Sequence, residues 1–524
     1  MKTRFFIIAG ALAVAMPILA QETYENAKII QEDLNGTARY VGMGGAMDAL
    51  GADISTISSN PAGIGLFRNS RADVSFGMVS QQDAADYSHG NTTNMSFDQA
   101  GFVYTQRTKQ NSFLNFAFNY KKSRNFDYIL SADDQLQNAS QNKLSWVKLY
   151  NGLLYPDYSP RDEGYSPDLD NSYITCNQLD DIYTRNLFYA AGDGNAYFYE
   201  ATGYDFDRAH KGYVGEYDFN LSGNINDQVY LGMTVGLHDV HYKHISDYTE
   251  YMVPNPENIQ VLNVYDERKI TGHGMDLKFG VIFRPVQYSN FRVGLSVATP
   301  TWYDLTSRNY TEVTDGNETA WAKDKYDFQV YTPWKFGLSL GHVIGNCVAV
   351  GAGYEYADYT ATKTRIITGS YYDYWTDSYH DDSKNDQVMN SHTEATLKAV
   401  STFKVGVEWK ATPELALRAG YNYISPMYDK DGFKDGTLES NGSFIASSTD
   451  YTNWDATNRF TLGMGYAVGK FNFDLAWQYT STQGDFTPFM SYRDRDYSDF
   501  DNIVGSQKVD NKRHQLLLTM GYKF

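Results

Sequence analysis

The sequence has few of the features that mark disulfide-bonded, nucleic-acid-binding or helical membrane proteins. Two of its 524 residues are cysteine, Cys176 and Cys347, which allows a single disulfide but no disulfide framework. Beyond residue 20 no stretch of about 18 apolar residues occurs, which excludes a transmembrane helix. Basic residues are also scarce, because 44 Lys and Arg stand against 63 Asp and Glu, for a net charge of −19. Such a chain lacks the basic surface that nucleic-acid binding requires.

Residues 1–20 have the composition of a signal peptide. Lys2 and Arg4 form a positive amino end, an apolar stretch runs from Phe5 to Leu19, and the small residue Ala20 precedes Gln21. Removal of this segment takes the net charge from −19 to about −21. No cysteine follows the cleavage point, so a lipid anchor is not expected. An exported chain without an apolar helix is either soluble or enters a membrane as a β-barrel.

Strict alternation of apolar and polar residues decides in favour of the barrel. In 471–480 (FNFDLAWQYT) every second residue is apolar, and in 403–410 (FKVGVEWK) the apolar residues oppose charges and a glycine. Alternation alone also fits a soluble sheet with one wet face. Aromatic residues at the strand ends and polar faces that mix charge with glycine fit a lipid-facing girdle and a lumen. We therefore predict an all-β transmembrane barrel from 71 to 524.

The number and order of the segments predict fourteen antiparallel strands, an even number as in bacterial single-chain barrels. Short turns alternate with long connections, the longest of which is 122–212, so both termini are expected on the periplasmic side of the outer membrane. The chain ends on Phe524 in an alternating segment, 516–524, typical of the signal read by the barrel-assembly machinery. The predicted strands are 72–80, 98–108, 112–121, 213–223, 228–240, 271–284, 290–298, 328–341, 347–360, 393–410, 414–424, 457–468, 471–481 and 511–524.

Residues 21–70 do not alternate and precede the first predicted strand. Such a segment either hangs in the periplasm or folds into the lumen, and an internal plug is reasonable because a barrel of fourteen strands is wider than side chains alone can fill. It contains a glycine-rich run with Gly42, Gly44 and Gly45, followed by Asn60, Pro61, Ala62 and Gly63. Asn-Pro favours a turn, because proline restricts the residue before it. On the residues alone, the motif is a tight turn leading into the first strand.

The run GTARYVGMGGA followed by Asn60-Pro61-Ala62-Gly63 resembles the FadL family of outer-membrane transporters of hydrophobic compounds. The resemblance implies a fourteen-stranded barrel plugged by an N-terminal hatch, in which these glycines and the Asn60–Gly63 motif form a gate whose shift opens the path. It also implies passive uptake of ligands such as long-chain fatty acids or aromatic hydrocarbons, and exit sideways through the wall. Sequences of this style are typical of the Bacteroidetes branch, some members of which are labelled haem receptors. Outer-membrane lipids are the expected surroundings, and a monomer is the expected state.

The connection 122–212 is predicted to capture the ligand at the outer surface, since loops this long are usually functional or separately folded. Packing of the loop on itself is the alternative. Its aromatic and apolar residues include Trp146, Leu153, Leu154, Tyr155, Phe188, Tyr197 and Phe198.

Charged residues on the predicted lumen face do not identify the ligand. Lys278, Arg292, Lys335, Lys404 and Arg418 could meet a carboxylate, but Glu216, Asp218, Glu355, Glu408 and Asp474 share that face and are expected to pair with them or with the hatch. His238 and His244 would share one face of a strand and His241 the other, which is poor geometry for metal or haem. We expect no enzyme, metal or cofactor; a haem-binding receptor and a general diffusion porin are the alternatives.

Overall fold

The computed structural model describes residues 23–150, 168–169, 172–173, 188–190, 196–256, 258–286, 289–316, 319–345, 347–373, 378–435, 450–493 and 501–524. Fourteen barrel strands follow one another in antiparallel order, which confirms the predicted fold class. They are β1 (Arg71–Gln81), β2 (Thr93–Lys109), β3 (Ser112–Asn125 and Tyr128–Gln135), β4 (Ala201–Ile225), β5 (Val229–Met252), β6 (Val261–Phe283), β7 (Arg292–Ala298 and Trp302–Thr314), β8 (Thr319–Tyr331 and Lys335–Ile344), β9 (Val348–Asp358 and Lys363–Asp373), β10 (Ser378–Asn385 and Ala399–Lys410), β11 (Leu415–Ile424), β12 (Tyr451–Val468), β13 (Phe471–Thr487) and β14 (Gln507–Lys523).

The first and last strands close the barrel. β1 pairs with β14 from Arg71 opposite Lys523 to Gln81 opposite Arg513, and it pairs on its other side with β2. The amide of Phe524 then donates to the carbonyl of Ser70 at 3.0 Å. Closure leaves neither strand with an unpaired edge, which is the condition for crossing lipid with strands.

An apolar belt surrounds the barrel near its short-turn end. On β5 the outward residues from Val229 to Leu237 are all apolar, and the next three, Asp239, His241 and Lys243, are charged or polar. The belt therefore takes nine residues of this strand, close to the length that a tilted strand needs to cross a membrane. Inward neighbours such as Thr234 and His238 are buried in the lumen.

Several strands continue far beyond the belt, which corrects the predicted loops. β4, β5 and β6 contain 25, 24 and 23 residues. The predicted connection 122–212 is in fact 136–200, because β3 and β4 extend into it, and most of the predicted connection 241–270 is strand. The barrel wall thus stands well above the belt at the long-loop end.

Five strands are interrupted, and two of the interruptions contain proline. Pro300 and Pro333 lie in the breaks of β7 and β8, where a residue without an amide donor ends the ladder. In β10 the break contains a helix, α5 (Gln387–Thr396), capped by Asp386, whose carboxylate accepts from the amide of Met389 at 3.1 Å. The predicted strand 393–410 is therefore wrong at its beginning, because this cap starts a helix there.

The chain before β1 consists of short helices inside the barrel. They are α1 (Thr23–Ile30), α2 (Ala38–Gly42), α3 (Thr56–Ser59) and a 3₁₀ helix (Pro61–Leu66). The connection after β3 holds α4 (Gln141–Tyr150) and two short hairpins, Asp168–Leu169 with Ser172–Tyr173 and Phe188–Ala190 with Ala196–Phe198, and a 3₁₀ helix (Tyr359–Ala361) interrupts β9. Among the described helices, not one has the length and apolar character needed to span a bilayer.

Candidate functional site: the hatch and the lumen cavity

The hatch, residues 23–70, runs along the lumen from the long-loop end to the short-turn end. At its start α1 is almost wholly buried. The ring of Tyr24 stacks on Tyr428 with centroids 5.3 Å apart, and its hydroxyl donates to Asn453 Oδ1 at 2.8 Å. The hydroxyl of Thr23 is 2.8 Å from that of Thr393 on α5. The helix inserted in β10 thus packs against the first helix of the hatch.

The motif Asn60-Pro61-Ala62-Gly63 forms a buried helical turn against the wall. Asn60 caps the 3₁₀ helix, because its side-chain oxygen accepts from the amide of Ala62 at 3.2 Å. The carbonyl of Pro61 accepts from Ser222 Oγ at 2.9 Å. The carbonyl of Ile64 accepts from Asn115 Nδ2 at 2.7 Å. Wall side chains therefore replace the hydrogen bonds that this segment would make in water.

The glycine-rich run lies against glycines of the wall. Gly44 has a φ of +62°, and a Cβ there would lie 2.8 Å from the amide nitrogen of Tyr421. Gly42 packs against Gly463, and a Cβ at Gly45 would lie 2.9 Å from Leu34. This contact of backbone on backbone requires glycine on both surfaces.

The glycines of the wall are functional residues that the sequence reasoning missed. Seven consecutive strands, β5 to β11, each place a glycine beneath hatch backbone or beneath Asn60, namely Gly232, Gly280, Gly294, Gly341, Gly351, Gly406 and Gly420. A Cβ at Gly351 would collide with the carbonyl oxygen of Ala46. Their alternation with charged residues predicts a lumen face, and the same pattern could have shown where the hatch docks.

Ion pairs between hatch and wall confirm the predicted pairing of lumen charges. Arg39 of the hatch forms a bidentate ion pair with Glu408, with nitrogen–oxygen distances of 2.8 and 2.9 Å. Glu408 also accepts from Arg418 at 2.6 Å. Four more of the predicted cations pair in the same way: Arg418 with Asp474, Lys404 with Asp48 and Glu355, Lys335 with Glu32, and Lys278 with Glu216, Asp218 and Asp276. Arg292 instead donates to the backbone carbonyl of Leu50 at 2.7 Å.

Three arginines from separate strands converge on one hatch carboxylate, Asp33. Oδ1 of Asp33 lies 3.1 Å from Arg124, 3.4 Å from Arg459 and 3.4 Å from Arg513. Burial alone would raise the pKa of Asp33, but the three guanidinium groups lower it to about 2. One carboxylate cannot balance three cations, so the cluster keeps a surplus of positive charge.

A cavity of about 210 Å³ lies beside this cluster, between the hatch and the wall. One side is cationic, with the three arginines, and another is apolar, with Val400, Met427 and Trp454. Pockets for drug-sized ligands are usually larger, roughly 300–1,000 Å³. The cavity therefore has room for a small ligand, or for the polar head and first part of a longer one.

The wall is interrupted beside this cavity, at the break of β3. β2 and β3 pair only as far as Gln99 opposite Lys121, and beyond the break the upper part of β3 pairs with β4. The side chain of Gln81 bridges the gap, donating to the carbonyl of Ile129 at 2.6 Å and accepting from its amide at 2.8 Å. A second cavity of about 30 Å³ links Asp33 to the wall strands here.

The predicted capture residues are only partly described. The ring of Trp146 lies 5.3 Å from that of Phe198, at the long-loop end. The backbones of Phe188 and Tyr197 lie in one of the short hairpins, and Leu153, Leu154 and Tyr155 lie outside the described residues, as does Cys176. The thiol of Cys347 is exposed and forms no disulfide with any described residue.

The histidines follow the predicted alternation. His238 faces the lumen and contacts Asp276 at 2.9 Å, while His244 is buried on the same face. His241 faces outward and contacts Asp239 at 2.8 Å. Within the described ranges, acidic, histidine and cysteine side chains form no group of three suited to a metal ion.

The fold and site define a β-barrel of the outer-membrane type with a plugged lumen. The chain is similar to the toluene transporter TbuX of Ralstonia pickettii, with 12% identity, a TM-score of 0.48, and coverage of 94% of this chain and 99% of that one. It is similar to the toluene transporter TodX of P. putida, with 12% identity, a TM-score of 0.49, and coverage of 94% and 99%. A FadL homologue of Pseudomonas aeruginosa matches with 10% identity, a TM-score of 0.47, and coverage of 97% and 100%. No protein-family model and no curated protein matches the sequence. At such identities only the geometry of this chain can indicate its ligand.

Proposed function

We propose that this protein is an outer-membrane channel for passive uptake of hydrophobic small molecules that carry an acidic group, such as long-chain fatty acids. Its long-loop end faces outward, and both termini lie on the periplasmic side. The observation that carries the proposal is the cavity beside Asp33, where Arg124, Arg459 and Arg513 leave a surplus of positive charge next to apolar side chains. A carboxylate with an apolar tail matches both sides of such a cavity.

An apolar path joins the long-loop end to the cavity. Buried aromatic side chains of β4, β5 and β13, among them Phe206, Tyr248 and Phe486, form one cluster in the upper barrel. Trp454 packs both against this cluster and against the cluster that surrounds Tyr24. It also lines the cavity. A ligand captured near Trp146 would thus keep apolar contacts until its acidic head reaches the arginines.

Release sideways through the break of β3 fits the same geometry. The smaller cavity extends from Asp33 towards Val79 and Lys122 at this break. The hatch blocks the direct route to the periplasm, because its backbone contacts the wall around most of the lumen. The Asn60–Gly63 turn then acts as an anchor for the lower hatch, while residues 31–35 form the side of the cavity that must move.

A binding experiment with matched ligands tests the proposal. The purified protein in mild detergent is titrated with a long-chain fatty acid and with the alcohol of the same chain length. We expect tighter binding of the acid, and we expect Arg513→Gln to weaken acid binding roughly tenfold while leaving the alcohol unchanged, since one charge-assisted bond is lost. Arg107→Gln, which changes an exposed arginine at the short-turn end of β2, is the control.

Mass spectrometry of lipids that co-purify with the barrel gives an independent measurement. Fatty acids or similar amphiphiles should be recovered from the wild type and be depleted in Arg513→Gln. If no hydrophobic compound is recovered and neither ligand binds, the uptake proposal is wrong. A general porin, the main alternative, would show ion conductance without binding either ligand.

A further inference from the structure

Five basic residues form one continuous row on the outer face of the extended wall. Lys243 of β5 lies directly opposite Lys211 of β4 on one side and Lys269 of β6 on the other. Lys269 lies opposite Arg308 of β7, which lies opposite Lys325 of β8. We call these five residues the cation row: Lys211, Lys243, Lys269, Arg308 and Lys325.

The cation row runs parallel to the upper edge of the apolar belt. That edge is also a single cross-strand row on the same five strands, Tyr217, Leu237, Met275, Trp302 and Tyr331. Each cation is six positions beyond the edge residue of its strand. Six residues span about 20 Å along a strand, which in a tilted barrel places the cations roughly 15 Å above the hydrocarbon.

Such a row is costly for the folded barrel. Like charges directly opposite one another on neighbouring strands destabilise a sheet. In a chain with a net charge of −19, carboxylates would be easy to place beside these cations. Lys243 does contact Glu267 at 2.9 Å, but no carboxylate of the described residues lies within 4.0 Å of the other four.

Carboxylates in the outward rows near the cation row are engaged by other donors. Asp247 accepts from Tyr87 at 2.6 Å, Glu312 from Tyr310 at 2.7 Å, and Asp327 from Thr306 at 2.5 Å. These acids therefore leave the cation row available for an external anion.

A line of aromatic side chains lies directly above the cation row. Ring centroids are separated by 6.1 Å from His89 to Tyr265, 6.2 Å from Tyr265 to Tyr310, and 6.4 Å from Tyr310 to Trp321. The ammonium of Lys323 lies 5.7 Å from the ring of Trp321. Flat aromatic faces beside hydrogen-bonding groups suit the apolar faces and hydroxyls of sugar rings.

We propose that the cation row and the aromatic line above it bind the phosphorylated sugar headgroup of an outer-leaflet glycolipid, namely a lipopolysaccharide. The belt directly below the row offers its acyl chains an apolar surface on the same five strands. A cationic surface this close to a membrane attracts anionic headgroups. The assignment rests on the outward orientation of the long-loop end given under the proposed function and is independent of the transported ligand.

The test compares glycolipids and variants of the full-length protein in detergent. The probe is a rough lipopolysaccharide with a phosphorylated core, and its partner is the same glycolipid after removal of phosphate with hydrofluoric acid. Binding is followed by native mass spectrometry over a range of salt concentrations. We expect the double variant Lys269→Gln/Arg308→Gln to bind the phosphorylated glycolipid at least roughly tenfold more weakly than the wild type. It should also bind the phosphorylated and dephosphorylated glycolipids equally well.

A matched control separates this surface from general charge effects. Lys508 and Lys512 also face outward above the belt but pair with Asp485 and Asp510 at 2.8 Å each. Lys508→Gln/Lys512→Gln should bind the glycolipid as the wild type does. The thermal unfolding midpoint of Lys269→Gln/Arg308→Gln should be unchanged or higher, because two facing cations are removed, so lost binding cannot be ascribed to unfolding.

Three outcomes would overturn the assignment. The first is that Lys269→Gln/Arg308→Gln binds the phosphorylated glycolipid as tightly as the wild type does. The second is that the wild type binds both glycolipids equally. The third is that Lys508→Gln/Lys512→Gln loses as much affinity as Lys269→Gln/Arg308→Gln. Wild-type affinity for the deacylated core saccharide that matches its affinity for the whole glycolipid would overturn the lipid assignment. Fatty-acid binding, measured separately, would be unaffected by any of these results.

Discussion

At the scale of single residues, Asp33 is the one hatch carboxylate that joins three wall arginines. Asp33→Asn would leave Arg124, Arg459 and Arg513 facing one another without a buried counter-charge. We expect hatch docking to weaken by about 3 kcal/mol, as when a buried pair loses one partner. Hydrogen exchange of amides 31–35 should accelerate accordingly. The exposed loop variant Asp83→Asn should exchange like the wild type; equally slow exchange in Asp33→Asn would contradict the prediction.

The lowered pKa of Asp33, about 2, also predicts a pH dependence of hatch docking. A carboxylate whose folded pKa lies below its free value of about 3.9 stabilises the fold above that value. Its contribution is lost as the pH falls from about 4 to about 2. Exchange of amides 31–35 should therefore not depend on this group between pH 8 and 5, after correction for the intrinsic rate. Faster exchange of amides 31–35 at pH 5 than at pH 7 in the wild type, absent in Asp33→Asn, would contradict this prediction.

Gly351 tests the contact of glycine in the wall with the hatch backbone. A methyl group there would collide with the carbonyl of Ala46, so Gly351→Ala should destabilise hatch docking by about 1–3 kcal/mol. Ion conductance in a planar bilayer and exchange of the hatch amides should both increase. Gly369→Ala is the control, because a Cβ at that position meets nothing within 4 Å.

Residue identities in the lumen were partly predictable. Alternation placed Lys404 and Glu408 on the inner face, and the mixture of opposite charges on that face indicated ion pairs. In the structure Glu408 pairs with Arg39 and Lys404 pairs with Asp48. The arginines around Asp33 were not found. Arg124 fell in the segment predicted as loop, and the approach of Arg459 and Arg513 to Asp33 depends on the path of a hatch that has no periodic pattern.

At the scale of elements, the break of β3 decides whether the wall can open. Gln81→Leu would leave the amide and carbonyl of Ile129 without the two hydrogen bonds that bridge the gap. We expect a local loss of about 1–2 kcal/mol, faster exchange of amides 126–132, and faster uptake of a fluorescent fatty acid by cells. Gln483→Leu on β13, which removes an exposed contact with Asp510 of β14, is the control. Slower or unchanged uptake would argue against a sideways exit.

The elements were predicted well where their apolar face meets lipid and poorly above the belt. On β5, apolar Leu237 faces outward, whereas higher on the same strand Tyr242 and Tyr248 face the lumen and Lys243 faces water. The polarity of the strand therefore inverts at the belt edge, and a search for one continuous apolar face ends the strand too early. The start of α5 was missed because its capping residue, Asp386, lies in an acidic segment typical of a loop.

At the scale of the whole molecule, the barrel and hatch form one unit held together by polar contacts. The lower hatch meets wall glycines and side-chain amides, and its charged residues pair with charges of β8 to β10 and with the arginines around Asp33. Buried polar contacts of this kind specify one position for the hatch more than they add stability. The strand count was predictable from the alternation of the sequence, whereas the plug was indicated by the resemblance of its glycine-rich and Asn-Pro-Ala motifs more than by the lumen width that fourteen strands impose.

Deletion of residues 21–65, with the signal peptide kept, tests whether the hatch closes the barrel. A fourteen-stranded barrel without its plug leaves an aqueous lumen, so conductance of the purified variant in planar bilayers should rise well above that of the wild type. Heat-dependent migration on gels shows whether the variant still folds as a barrel. The single substitution Glu408→Gln, which removes the partner of Arg39, gives a full-length variant that should conduct in brief openings. Low conductance in a folded deletion variant would mean that the wall itself closes the lumen, and the hatch would then have no gating role.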